Sequence, residues 1–434
     1  MARSSFWRPT RAHVRAIAVG VGLVIAALAK NRPDLVVMAS PFLIIAAWSL
    51  VTRPVGRPSA HHRLAVSTLR EGESTYLHFD LDDADGAQQV SAVLGDMPYV
   101  DARPRGRALT VDAPSTTASV ARLSFALRSV RWGQHQVGPG VISATSAWGA
   151  YRWGPVIMDE LKLSALPAAP VFAAKAPTPH PQGLVGMNRS VRPGDGSEFN
   201  TIRPFQVGDR LRRIHWPSSL RSQTLNVTST FADHDSQVLV VVDAANDIGE
   251  SGGVDGTPST LDMTVRASAA ICEHYVHRGE RVGMRVIGAA NPLTQPSATG
   301  RTHLRRLLTT LSSVRPGGST ERADAETRMR VEAGALVLML SPLISPVTLQ
   351  RALALGRRGF ILVVVDTMPE ELDHGDDSEL VRIAWRIRML QRSVEMTQVA
   401  AAGIPVVPWR GPGSLDMVLR DIGRRAAAPR LAHR

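Results

Sequence analysis

Five short, almost purely apolar runs separated by amphipathic stretches constrain the fold of the second half of the chain. The runs lie at residues 238–243, 281–287, 335–340, 360–365 and 404–407. The stretches between them predict helices near residues 260–278, 302–313, 346–356 and 378–402. Apolar strands that alternate with helices indicate a mostly parallel sheet covered on both faces. We therefore predict an α/β doubly wound domain over residues 236–428, with a short tail at 429–434.

Ligands of such sheets bind beyond the carboxyl ends of the strands, so Asp243 and Asp366, each after a run of valines, are candidate positions for a ligand.

In the helix predicted at 378–402, apolar residues recur at helical spacing and form one face. Its members are Leu380, Ile383, Ala384, Ile387, Leu390 and Val394.

Two uncharged apolar runs, residues 16–29 and 35–51, predict an N-terminal transmembrane helical hairpin within an anchor at 1–57. A cleaved signal peptide is the alternative for the first run, because a basic N-terminus precedes it and Ala27-Leu28-Ala29 has the small residues of a cleavage site. Either interpretation leaves the bulk of the chain on the inner side if the second run spans the membrane. We predict a multi-pass protein of the cell (inner or plasma) membrane with cytoplasmic soluble domains.

Short runs between turn residues predict a small all-β, sandwich-like domain at 58–170. Its aromatic residues Trp148, Tyr151 and Trp153 are interpreted as part of the core rather than as a binding surface. A Pro- and Ala-rich linker follows at 171–197, and a polar segment at 198–235 precedes the α/β domain.

Composition excludes several classes of site. The single cysteine, Cys272, excludes an intrachain disulfide and any multi-cysteine metal site. The net charge of +12 is permissive for anionic lipid or nucleic acid and proves neither, because only three of the 50 basic residues are lysines and a GC-rich genome would give the same bias. The sequence lacks GxxxxGK and HExxH motifs. We predict no catalytic residue, metal or cofactor.

The polar segment from Glu198 to Arg221 is the most informative part of the chain. It contains a Glu-Phe pair, a Gly-Asp pair and an Arg-Arg-Ile-His-Trp run with regularly spaced arginines. The residues singled out are Glu198, Arg203, Gly208, Asp209, Arg212, His215, Trp216 and Arg221. This segment resembles the signature of the bacterial family named domain of unknown function 58. The resemblance extends to the flanks, since members commonly have a membrane hairpin, a β-rich insert and a von Willebrand factor A-like domain.

Two physical interpretations of this signature remain open. Arg203, Arg212 and Arg221 could pair with Asp209 and Glu198 as a structural ion-pair clasp, which we favour because matched acids are present. The same planar guanidinium groups would also suit an anion or phosphate cradle. Beside them, His215 is interpreted as a packed histidine rather than a base.

The resemblance also implies a degenerate metal-ion-dependent adhesion site. A-type domains often hold a divalent cation through a D-x-S-x-S loop, a threonine and a further aspartate. Here Asp243, Asp247 and Thr320 remain as candidate ligands, whereas Ala245 and Pro342 stand where oxygen ligands would be expected. We predict a docking face that needs no metal, with Asp243 bonded to the loop amides around it.

Our leading hypothesis is a membrane-anchored cytoplasmic adaptor that docks protein partners. The resemblance implies association with a MoxR-type AAA+ ATPase in protein assembly or maturation. The alternative from another class is binding of an anion or nucleic acid through the Arg-rich signature, with nucleic acid the less favoured ligand, and a hydrolase is a remote third hypothesis. The sequence gives no prediction of the oligomeric state.

Overall fold

The computed structural model describes residues 6–113, 120–170, 193–206, 211–231, 237–291, 293–317, 335–357, 361–373, 378–411, 413–417 and 419–420. The chain forms two compact units. The first is Met1–Pro167 with Gly253–Asp255, and the second is Ala168–Gly252 with Gly256–Arg434.

Two antiparallel helices open the first unit, α1 (Arg11–Lys30) and α2 (Asp34–Val51). Thr10 caps α1 by accepting a hydrogen bond from the backbone N–H of His13, and Asn31 ends the helix in the left-handed conformation. By length and composition, both helices are long and apolar enough to cross a membrane. The predicted pair of apolar helices is therefore present.

The helical hairpin is tied to the β-rich part of its own unit. A two-residue strand, β1 (Arg8–Pro9), pairs with a later strand through Tyr151 and Arg152. Between the helices, the Oγ of Ser49 lies 3.0 Å from Nε2 of His13, and both side chains are buried. Segments on both sides of the hairpin contact the sheet, because Arg53, just after α2, lies over the ring of Tyr151.

The rest of the first unit consists of eleven strands within its described residues. They are β2 (Ser59–Leu64), β3 (Thr68–Arg70), β4 (Ser74–Asp82), β5 (Ala87–Leu94), β6 (Val100–Arg103), β7 (Ala108–Asp112), β8 (Ala121–Ser129), β9 (Gly133–Val137), β10 (Gly140–Ser146), β11 (Tyr151–Met158) and β12 (Leu161–Leu166). They form sheets of order β2-β4-β8-β6 and β1-β11-β10-β5-β7, with a smaller sheet β3-β12-β9.

Alternating side chains of the two larger sheets share one apolar core. In β8 the burial pattern is strictly alternating, which places Leu123, Phe125 and Leu127 inside. Trp153 is almost completely buried in the same core, whereas Trp148 is 68% exposed. The interpretation of the aromatic group as core thus holds for Trp153 and is wrong for Trp148, which lies in a short turn with positive φ rather than on a strand.

The second unit begins with the signature segment. Strands β13 (Pro193–Pro204) and β14 (Asn226–Phe231) pair antiparallel, and the short helix α3 (Trp216–Ser222) lies between them. A single 3₁₀ turn at Leu211–Arg213 precedes α3.

A six-stranded sheet with crossover helices follows. Its elements are β15 (Gln237–Asp243), α4 (Thr260–His277), β16 (Arg281–Ile287), β17 (Leu293–Ala298), α5 (Arg301–Ser312), β18 (Leu336–Ser341), α6 (Pro346–Arg357), β19 (Ile361–Asp366), α7 (Glu379–Ala401) and β20 (Val406–Pro408). The strand order is β17-β16-β15-β18-β19-β20, in which only the edge strand β17 is antiparallel. Every residue of β18 and β19 is buried, as expected for a parallel sheet covered on both faces.

The sequence pattern did not predict β17. This strand contains Pro296 and polar residues, and among the described strands it pairs with β16 alone. Proline is tolerated at a sheet edge because the outer side of an edge strand has no neighbouring strand to which its N–H groups must donate. An edge strand of this kind lacks the apolar run by which the five parallel strands were predicted.

Candidate functional site

Three polar residues form a row at the carboxyl ends of adjacent parallel strands. Asp243 ends β15, Ser341 ends β18 and Asp366 ends β19. The register pairs Val242 with Leu340, and Ser341 with Asp366. Parallel strands bring their carboxyl ends to one edge of a sheet, so residues far apart in sequence meet there. Both aspartates that the sequence indicated as candidates thus lie at this edge.

Three protein donors bind the carboxylate of Asp243. Its Oδ2 accepts hydrogen bonds from the Oγ of Ser341 at 2.6 Å and the Oγ1 of Thr348 at 3.0 Å. Its Oδ1 accepts one from the backbone N–H of Ala245 at 3.1 Å. The bond to Ala245 closes a local turn of the kind that aspartate favours. Asp243 therefore holds three segments together: the loop after β15, the end of β18 and the first turn of α6.

Burial dominates the electrostatics of this carboxyl group. Removal from water raises the pKa of Asp243, while the hydrogen bonds from Ser341, Ala245 and Thr348 and the charge of Arg351 act in the opposite direction. Since the net shift is upward, the surrounding donors do not replace all the hydration that the carboxylate loses.

Asp366 is engaged in a different way. Nη2 of Arg392 on α7 donates to its Oδ1, which also accepts from the backbone N–H of Met368 at 3.0 Å. The Nε of Arg392 donates to the carbonyl oxygen of Pro342 at 2.8 Å. Arg392 thus bridges the loop after β18 and the end of β19. The side chains of Arg392 and Asp366 are both only 11% exposed, so this is a buried ion pair.

Asp247, the other candidate ligand in the loop after β15, bonds to the start of α4. Oδ1 of Asp247 accepts a hydrogen bond from the backbone N–H of Leu261 at 3.2 Å, in the first turn of α4. A carboxylate at this position stabilises the helix N-terminus and its dipole. The candidate Thr320 lies outside the described residues.

The described residues do not fit a high-affinity cation site. A hard cation such as Mg²⁺ requires about six oxygens in near-octahedral order. Here the oxygens of Asp243 already accept from hydroxyl and amide donors, and Asp247 caps a helix. Over the described ranges, no group of three His, Cys, Asp or Glu side chains is arranged to hold a metal.

We expect calorimetric titration of the full chain in detergent with Mg²⁺ or Mn²⁺ to show no stoichiometric site of micromolar affinity. The physical reason is that a cation would have to displace the hydroxyl donors on Asp243 without gaining enough anionic ligands in return. Asp243→Ala is the control. A micromolar site that this substitution abolishes would contradict the expectation.

The signature segment has its own hydrogen-bonded framework. The Nδ1 of His215 accepts from the backbone N–H of Ser218 at 3.3 Å, which makes His215 the N-terminal cap of α3. Its backbone N–H donates to the carbonyl oxygen of Asn226 at 2.8 Å. The hydroxyl of Ser219 lies 2.9 Å from the backbone nitrogen of Asn226, from which it accepts. These bonds fix α3 against β14.

The arginine clasp falls largely outside what the structure describes. Gly208 and Asp209 lie outside the described residues, as do the side chains of Glu198 and Arg212. Nη1 of Arg203 donates to the carbonyl oxygen of Pro204 at 3.1 Å, and Arg221 is exposed in the last turn of α3. The clasp and the anion cradle both remain predictions.

Apolar side chains of the signature segment face solvent. Trp216 is 59% exposed and Leu220 is 77% exposed, and their spacing of four residues places them on one face of α3. Leu211 in the preceding turn is 70% exposed. We call Leu211, Trp216 and Leu220 the signature surface. The resemblance singled out Trp216, but no sequence pattern indicated that Leu211 and Leu220 would be exposed with it.

Cys272 shows no features of a nucleophile. It is completely buried in α4, and burial raises the pKa of its thiol to about 12. At neutral pH the thiol therefore stays protonated, and the thiolate is the reactive form. His274 and His277 lie on the same helix, in its last turn.

Comparison with known proteins supports the resemblance over part of the chain. Residues 201–381 match the family described as "Protein of unknown function DUF58". The match runs from the end of β13 to the start of α7, a shorter span than the near whole-chain resemblance that the sequence suggested. It includes Trp216 and both strand-end aspartates.

Mycobacterial proteins are similar over a longer span. "Uncharacterized protein Rv1480" of Mycobacterium tuberculosis (strain ATCC 25618 / H37Rv) and "Uncharacterized protein Mb1516" of Mycobacterium bovis (strain ATCC BAA-935 / AF2122/97) are each 27% identical to this chain over 259 residues. The aligned region covers 58% of this chain and 73% of each relative. The chain is therefore similar, over the signature and most of the parallel sheet, to proteins of the DUF58 type.

Proposed function

We propose that the chain is a membrane-anchored adaptor that docks protein partners on its cytoplasmic units. The observation that carries the proposal is the signature surface, three large apolar side chains that face solvent on a hydrogen-bonded framework. Large apolar side chains that are exposed together on one short segment are typical of protein interaction sites, and tryptophan is enriched among residues that dominate binding energy.

The proposed anchor comprises both N-terminal helices. The pairing of β1 with β11 and the contact between His13 and Ser49 support retention of α1, because cleavage after Ala29 would remove these contacts. Basic residues lie at the start of α1 and just after α2, including Arg11, Arg53 and Arg57. Because basic residues are enriched on the cytoplasmic side of membrane helices, this distribution favours a cytoplasmic location for the folded units.

Reporter fusions test this topology. We expect a reporter that is active only in the cytoplasm to function when fused after Arg63 and at Arg434, because both positions follow an even number of proposed membrane spans. A fusion after Arg32, in the turn between the helices, is the control and should favour a reporter that is active only after export. Activity of the exported-only reporter at Arg63 or Arg434 would contradict the topology.

The order of the parallel sheet supports a von Willebrand factor A-like domain. The chain starts in the middle of the sheet at β15, moves outward to an antiparallel edge strand, and returns to build the other half. With the hydroxyl and amide donors on Asp243, we propose a domain of this type that needs no metal for docking.

The resemblance makes a MoxR-type AAA+ ATPase the first partner to test. An exposed apolar surface on a rigid framework suits a folded protein better than a polyanion, which would be held chiefly by guanidinium contacts with phosphate. We therefore propose protein docking rather than nucleic-acid binding as the role of the signature segment.

Truncating the signature surface should weaken partner binding. We expect Trp216→Ala/Leu220→Ala to reduce binding of the source organism's MoxR-type ATPase, measured with the detergent-solubilised full chain, by about 100-fold, because two exposed apolar anchors are removed. Met417→Ala is the matched control, since Met417 is an 81% exposed apolar side chain of the same unit.

Two results would contradict the proposal. One is equal ATPase binding, or no ATPase binding, by the parent, the double variant and the control. The other is salt-dependent retention of the full chain on a polyanion column that Arg203→Ala and Arg221→Ala reduce, because a steep dependence on salt is the property of phosphate contacts. That result would favour the anion-binding alternative.

A further inference from the structure

The long helix α7 is attached to its own unit along one face. Arg388 donates from Nε to the carbonyl oxygen of Ile344 at 2.9 Å and also pairs with Glu395 at 2.8 Å. Arg392 forms the buried pair with Asp366, and Val399 joins the apolar core between the sheet and α6. The attached face therefore consists of positions 388, 392, 395 and 399, together with the half-buried positions 381, 385, 389 and 396 beside them.

A stripe of exposed apolar side chains runs along a different face of α7. We call it the α7 stripe, and its members are between 50% and 79% exposed: Leu380, Ile383, Ile387, Leu390 and Val394. At 100° per residue, the centre of the stripe lies roughly 160° around the helix from the attached face. The apolar face that the sequence predicts is thus present, but the helix packs on its unit through the opposite side.

The spacing of the α7 stripe is that of a coiled-coil seam. Successive members are separated by three, four, three and four residues, which places them at alternating core positions of a heptad repeat over four helical turns. A single amphipathic helix on a globular domain has a broader apolar face with a period of 3.6 residues. The regular 3-4 spacing therefore indicates another helix as the occupant.

The residues that flank the stripe favour a second copy of the same helix. Ala384, Gln391, Ser393, Gln398 and Ala400 are exposed, short or uncharged, so two identical helices could approach without repulsion between like charges. A helix that lies on a lipid surface typically has many basic residues along its polar face. Of the four arginines on α7, Arg388 and Arg392 are bound to acceptors of their own unit, which leaves Arg382 and Arg386 exposed. Glu379 and Arg386 are the only charged residues at the flanking positions of the heptad.

We propose that the α7 stripe is a homodimer interface, in which α7 pairs with α7 of a second copy of this chain. Ten apolar side chains that bury roughly 100 Å² each would remove about 1,000 Å² from solvent. A stable interface needs roughly 1,200 Å² in total, so the flanking residues must contribute as well. Confinement of both copies to one membrane would strengthen such a short coil by raising the effective concentration.

Sedimentation of the full chain in detergent tests the association. We expect the parent to dimerise and Ile387→Glu/Leu390→Glu to raise the dissociation constant at least tenfold, because two buried carboxylates would face each other in the seam. Arg382→Glu is the control, since Arg382 is exposed on the same helix but lies away from the stripe. Unchanged melting of the double variant would show that it folds.

Cysteine cross-linking in isolated membranes gives an independent measurement. Because Cys272 is buried and its thiol has a pKa of about 12, an introduced cysteine would be the reactive one. We expect Ile387→Cys and Leu390→Cys to form a disulfide-linked species of twice the chain mass under mild oxidation, and Arg382→Cys to form far less.

Several results would overturn the proposal. They are a parent that stays monomeric at all concentrations, a dimer that survives Ile387→Glu/Leu390→Glu unchanged, and cross-linking that is equal at positions 382 and 390. A cross-linked species of another mass would assign the stripe to a different protein.

Discussion

Arg392→Met is expected to lower the free energy of unfolding of the second unit by about 3–5 kcal/mol. The substitution keeps most of the apolar stem but leaves the buried carboxylate of Asp366 without its charged partner, and it removes the donor to Pro342. Hydrogen exchange of peptides from β18 and β19, measured on the full chain in detergent, should show a loss of protection of roughly a hundredfold or more.

Two controls separate this effect from a general loss of charge. Arg382→Met removes an exposed arginine of the same helix and should cost less than about 1 kcal/mol. Arg392→Met/Asp366→Asn should recover part of the loss, because it no longer leaves an unpaired buried charge. Unchanged protection in Arg392→Met would show that the pair contributes little to stability.

The strands of the parallel sheet could be predicted from the sequence because burial on both faces demands apolar side chains at every position. Each of the five predicted runs overlaps an observed strand and starts within two residues of it. The edge strand β17 could not be predicted in this way. Its position at the sheet edge does not require an apolar side chain at every residue, and Pro296 is unusual in a strand.

The polar contacts of the site were less accessible to sequence reasoning. Strand ends indicated Asp243 and Asp366, because valine runs precede both. Their partners Thr348 and Arg392 carry no comparable signal, since Thr348 lies 105 residues from Asp243 and Arg392 lies 26 residues from Asp366. Only the packing of α6 and α7 brings these donors to the sheet edge.

The helix α7 shows what periodicity can and cannot predict. Regular spacing correctly places its apolar side chains on one face. Spacing alone does not indicate which face of the helix contacts the sheet. Arginine at positions 388 and 392 suggests that this face is exposed to solvent rather than buried. Long arginine side chains can satisfy carbonyl and carboxylate acceptors inside a fold, which reverses the usual assignment of faces.

Asp243→Ala is expected to lower the free energy of unfolding of the second unit by about 3 kcal/mol. The substitution leaves two buried hydroxyls and one amide N–H without their acceptor, each at a cost of about 1–3 kcal/mol when counted alone. Loss of exchange protection in β15 and β18 is the measurement. Glu371→Ala, which removes an exposed carboxylate from a nearby loop, should change protection little.

The pH dependence of Asp243 has a definite sign. Burial raises its pKa in the folded state, so the folded chain retains this proton to a higher pH than the unfolded chain. The stability that protonated Asp243 contributes is therefore fully present below the ordinary aspartate pKa of about 3.9 and is lost as the pH rises through the folded-state pKa.

Asp243→Asn tests this dependence, because it keeps the shape of the side chain but cannot titrate. The difference in unfolding free energy between parent and Asp243→Asn should therefore fall as the pH is raised from about 4, in hydrogen exchange corrected for intrinsic rates. A difference that rises with pH would show that the hydrogen bonds from Ser341, Thr348 and Ala245 outweigh burial and hold the group as a carboxylate.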